Sequence, residues 1–121
     1  MAYYYDRQGN EISMDVWARS LNDRSLQRVA LNQITADCRV STVWLGLNHN
    51  LFGTGPPLIF ETMVFGGPPE IDEKLERYST EAEAIAGHAQ MCARVRQALG
   101  IPEFVVAIEI DLNKHPTPKT V

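Results

Sequence analysis

The stretch from Arg39 to Gly67, RVSTVWLGLNHNLFGTGPPLIFETMVFGG, constrains this chain more than any other part of it. Two runs rich in β-branched, aromatic and leucine residues flank a loop carrying Gly53, Gly55 and the pair Pro56-Pro57. Runs of that length and composition favour strands, and the loop is turn-rich but stiffened. The pattern predicts a β-hairpin at the centre of a sheet, with strands over 39–48 and 58–65. His49 and Glu61 are polar residues embedded in otherwise apolar sequence, so they are the first candidates for chemistry.

The chain has 121 residues, 45% of them hydrophobic and 21% charged, which suits one domain with one core. Such a domain buries roughly two thirds of its unfolded surface. A single α+β domain over 1–112 and a proline-containing tail over 113–121 are expected. The formal net charge is −4, so no basic excess exists to displace counterions from phosphates, and direct nucleic-acid binding is not expected. No apolar run reaches the roughly 18 residues of a membrane span, and MAYYYDRQGNE lacks the features of a secretion signal. The expectation is a soluble, cytoplasmic protein. Cys38 and Cys92 are isolated, without metal-ligand spacing. Cys92 is expected as a buried thiol, and Cys38 in an exposed turn.

Around the central pair, Tyr3–Tyr5 and Glu11–Ile12 flank Gly9-Asn10 and predict a short hairpin. Ser13 can cap a short helix with Met14, Trp17 and Leu21 on one face. A strand is expected over 26–34, and the charged segment 70–77 reads as mobile. Thr80-Glu81-Ala82-Glu83 fits a capping box for a helix over 80–99, whose apolar stripe is Ile85, Ala89, Cys92, Val95 and Leu99. Gly100 suits the position just past its end. Strict alternation from Phe104 to Leu112 predicts a last strand. The result is an antiparallel sheet (N-terminal hairpin, central meander, C-terminal strand) with a short N-terminal helix and one long helix packed on a face. Val43, Leu45, Phe60, Val106 and Ile108 are expected in the core.

Candidate chemistry is sparse. His49, Glu61 and His88 supply two imidazoles and a carboxylate, a donor set that can hold a divalent ion and leave a position for water. This set carries the enzymatic reading, although its spacing matches no compact metal motif. Ser41 and Thr42 lie within a strand rather than on a nucleophile elbow, and NLFGTGPP is followed by a strand, so no helix N-terminus is there for a phosphate. Nothing asks for a cofactor. Tyr3, Tyr4 and Tyr5 cannot all face one core, because strand residues alternate. With Leu51 and Phe52 in the turn-rich loop, they form the candidate interface, for a partner protein or a second copy of the chain.

Three segments are similar, in order, to a family of small proteins encoded by tailed phages and prophages. They are STVWLGLNH (Ser41–His49), GPPLIFETMVFGG (Gly55–Gly67) and RYSTEAEAIAGHAQMCARV (Arg77–Val95). The resemblance spans roughly half the chain. Where the family carries an aspartate before the histidine, this chain has Asn48, which weakens an acid–base or metal pair at 48–49. The family has no assigned activity, so the resemblance implies phage origin and host-cytoplasmic residence and transfers no catalytic residue. The reading is a phage or prophage protein that binds a host or phage macromolecule, inhibition of a host defence protein being one form of it. The small metal-dependent enzyme is the alternative.

Overall fold

A computed structural model describes residues 3–51, 53–102 and 110–111. In chain order the elements are α1 (Met14–Ser20), α2 (Arg24–Gln27), β1 (Arg28–Thr35), β2 (Cys38–Trp44), β3 (Phe60–Gly66), β4 (Leu75–Tyr78), α3 (Glu81–Ala98) and β5 (Ile110–Asp111). The strands form one sheet in the order β4-β3-β2-β1-β5, every neighbouring pair antiparallel. Helix α3 packs along one face, touching β1 to β4. The α+β class, the short N-terminal helix and the long packed helix are as the sequence predicts.

The central hairpin is the most regular part. From Cys38↔Gly66 to Trp44↔Phe60 the β2–β3 ladder runs without a bulge. The N-terminal hairpin is present in its shortest form: Tyr5 bridges Glu11 around a turn in which Gly9 has φ 90. Asn48 N–H donates to the Tyr3 carbonyl and Tyr5 N–H to that of Gly46, so this hairpin lies against the segment after β2. Arg7 fastens it further, pairing with Glu81 at 2.9 Å and donating to the Leu26 and Arg28 carbonyls.

The capping box forms as expected. Thr80 Oγ1 accepts from Glu83 N–H, and the Glu83 carboxylate accepts from Thr80 N–H. Gly100 ends the helix at φ 68. The buried stripe, however, is Ala84, Gly87, His88, Met91, Cys92 and Val95, while Ile85 is 54% exposed and Ala89 is exposed. Of the expected stripe, Cys92 and Val95 are buried and Leu99 packs half-buried against the same cluster. The helix faces the sheet through Ala84, Gly87, His88 and Met91, and that turns Ile85 outward.

Five further differences separate the structure from the expectation. Asp23 caps a one-turn helix, α2, so β1 starts at Arg28 rather than at 26. The segment 70–77 runs into β4, because the edge of β3 is free to pair there, from Met63↔Leu75 to Phe60↔Tyr78. On β2 the buried residues are Cys38, Val40, Thr42 and Trp44, leaving Val43 and Leu45 only half-buried. Phe60 is fully buried as expected, whereas Cys38, expected to be exposed, is fully buried among Ile34, Val40, Val64 and Ile71. In α1, Met14 and Leu21 are exposed and only Trp17 turns inward, against the cluster of Tyr5, Trp44, Ile59 and Phe60. Phe104, Val106, Ile108 and the tail 113–121 lie outside the described residues.

Candidate functional site

The helix-facing side of the sheet carries a line of polar side chains across four strands. Asn32 on β1, Thr42 on β2, Thr62 on β3 and Tyr78 on β4 all point toward α3, and His88 enters from the helix. His88 Nε2 lies 2.7 Å from Asn32 Oδ1 and Nδ1 lies 2.7 Å from Thr42 Oγ1. The Asn32 oxygen only accepts, so the proton sits on Nε2, and in the neutral imidazole Nδ1 accepts from the Thr42 hydroxyl. Thr42 in turn accepts from Thr62 at 2.5 Å, and Thr62 bonds the Tyr78 phenol. Thr42 and Thr62 are fully buried and His88 is 5% exposed. Burial pushes the Tyr78 phenol above its usual range. Gly87 is required beside it, since a Cβ there would collide with the Tyr78 ring.

This line is internally satisfied. Among the described residues no buried side-chain nitrogen or oxygen lacks a partner. With both ring nitrogens engaged, His88 has no lone pair to offer a metal, and its role is to hold α3 in register over the sheet.

The three residues of the expected metal set are not brought together. Glu61 lies between the buried Phe60 and Thr62, so it points to the sheet face away from His88, and it pairs with Arg77 at 3.1 Å. His49 Nδ1–H donates to the Leu47 carbonyl at 2.8 Å, beyond the end of β2. Among the described residues no group of His, Cys, Asp and Glu could hold an ion. The donor set was read from residue types alone, and strand alternation separates its members.

The expected interface is divided as well. Tyr5 is 8% exposed and belongs to the core, and Tyr4 packs on Trp17 with ring centroids 4.9 Å apart. Tyr3 and Leu51 are 60% and 69% exposed and lie at the same end of the sheet, next to Asn48. Phe52 is outside the described residues.

The sheet face away from α3 was missed by sequence reasoning. Strand register arranges it in three rows: Gln33, Arg39 and Phe65; then Leu31, Ser41, Met63 and Leu75; then Val43, Glu61 and Arg77. All of these are half-buried or exposed. The middle row crosses β1 to β4 in about 14 Å, at strand spacing. Arg39 lies over the Phe65 ring, 5.0 Å from its centroid. An antiparallel sheet solvated on one side normally puts polar residues outward. Here Leu31, Val43, Met63, Phe65 and Leu75 point out. The signal was present in TMVF, whose two faces are both apolar, but burial on both sides reads the same in sequence.

Among the described residues, fold and geometry define a half-open α+β sandwich, one sheet face covered by a helix and the other presenting an apolar, arginine-flanked surface. Compared with protein-family models, curated proteins and solved structures, the chain matches none.

Proposed function

We propose that this protein is a non-enzymatic binding module that docks the open face of its sheet onto another protein. The observation that carries this reading is the outward set Leu31, Val43, Met63, Phe65 and Leu75, held on a regular ladder and flanked by Arg39 and the Glu61–Arg77 pair. Contiguous apolar surface on a small monomer marks an interaction site. Aromatic, Met and Arg residues are the types enriched at protein interfaces. The net charge of −4 favours a protein over a nucleic acid as the occupant.

Its three shared segments support a phage or prophage origin and residence in the host cytoplasm, with a host or phage protein as partner and inhibition of a host defence protein as one outcome. Edge strand β4 disfavours a sheet-extending homodimer, because a two-fold through its middle sets Glu76 against Glu76 or Arg77 against Arg77. The test is capture from host lysate by the tagged protein, by a Met63→Glu/Phe65→Glu variant and by an Ile85→Glu control on the outer side of α3. Partners retained by the control and lost by the double variant support the docking face. Partners retained by both overturn it.

A further inference from the structure

Beyond the open face, a cavity of about 280 Å³ opens between α1 and the segment that follows β2. Its walls are apolar: Trp17, Leu21, Val43, Leu45 and Leu47. Trp17 and Trp44 both line it and meet at Gly46, where a Cβ would come within 2.5 Å of Trp44 Cζ2 and 2.6 Å of Trp17 Cδ1. Both indole N–H groups are committed to the backbone, Trp17 to the Leu45 carbonyl at 2.9 Å and Trp44 to that of Tyr5 at 3.2 Å. The tryptophans therefore present carbon and π surface rather than donors.

The remaining lining residues are His49 and Gln27, and their existing bonds fix what they offer. The Leu47 carbonyl can only accept, so His49 Nδ1 carries the proton and Nε2 keeps the lone pair of the neutral ring. Gln27 Nε2 donates to the Leu21 carbonyl at 2.7 Å, which leaves Oε1 as the acceptor end of its amide. An apolar cavity with a few convergent polar groups is the general form of a small-ligand site, and this one is near the small end of the range. Size, π surface and acceptors agree on one chemistry.

We infer that this cavity binds a flat aromatic group of one or two rings bearing an N–H or O–H donor, such as an indole or a phenol, with His49 Nε2 as the acceptor. The group can be a free metabolite-sized molecule or an aromatic side chain of a bound protein, and Val43 is shared between the cavity and the open face. The site is built whether or not the open face has a partner, so its test is separate.

Indole, N-methylindole and N-acetyl-tryptophanamide are titrated into the protein at pH 8, following the Gly46 amide and Trp17 indole signals by NMR. Indole is expected to shift both signals and to bind about fivefold or more tightly than N-methylindole, the value of one hydrogen bond. His49→Leu should remove that preference while leaving N-methylindole binding unchanged. Leu21→Trp, which fills the cavity from its exposed rim, should abolish binding of both and serves if the His49 variant does not fold. Comparable binding of N-acetyl-tryptophanamide assigns the site to a partner's side chain, and its exclusion assigns it to a free small molecule. Equal binding of indole and N-methylindole, or no shift at Gly46 and Trp17, overturns the inference.

Discussion

Thr42 and His88 show how a buried polar pair specifies a helix position. A hydroxyl in a fully buried strand position is costly unless bonded, and here Thr42 serves His88 and Thr62 at once. Thr42→Val is expected to destabilise by about 1–3 kcal/mol in urea denaturation, since it strands His88 Nδ1. The double variant Thr42→Val/His88→Leu should cost less than the sum of the two singles, because the second change removes the group left unpaired. Cys38 makes a second residue-scale prediction. Burial, with Asp72 nearby, raises its thiol above the usual range, so alkylation should be slow in the native state and fast once the chain is unfolded. Neither residue was legible beforehand. Thr42 reads as an ordinary strand threonine and His88 as a candidate metal ligand, because sequence periodicity assigns a face but not the partner across it.

The elements the sequence predicts well are those governed by local rules. The α3 cap depends on Thr80 and Glu83, three residues apart, and forms as read; the central hairpin, read from two long apolar runs, forms with β2 ending at Trp44 rather than at 48 and β3 starting at Phe60 rather than at 58. Thr80→Ala should cost about 1 kcal/mol in thermal or urea unfolding. What the sequence hides is decided by pairing at a distance. Strand β4 lies inside a charged run and exists because β3 offers it an edge, and the α3 stripe follows contacts with the sheet rather than residue size. Tyr78 joins these elements and gives a pH prediction. Its phenol, raised by burial from an ordinary 10.0, keeps its proton in the fold to a higher pH than in the unfolded chain. Its contribution is therefore fully present below pH 10.0, where both states are protonated, and falls as pH rises through that value toward the folded one. Tyr78→Phe should flatten this alkaline loss of stability, measured as unfolding midpoint against pH.

At the scale of the whole molecule, one sheet face is covered by a helix and, among the described residues, the other has no such cover. Helix α3 seals Val40, Val64, Met91 and Val95 away from water, while Met63 and Phe65, one residue along β3, point outward on the same ladder. An outward Met and Phe add little to the fold, so Met63→Glu/Phe65→Glu should leave the unfolding free energy within about 1 kcal/mol of the parent's. The sequence revealed the central strands but not which apolar side would remain open, because that depends on where the helix lands. The central claim is that this open face is the docking surface. Its most direct measurement is hydrogen exchange of the captured complex against the free protein. The account predicts slowed exchange in β3 and β4 and around Arg39, with the outer side of α3 unchanged. Protection confined to α3 or to the Tyr3–Leu51 end, with β3 and β4 unaffected, would contradict it.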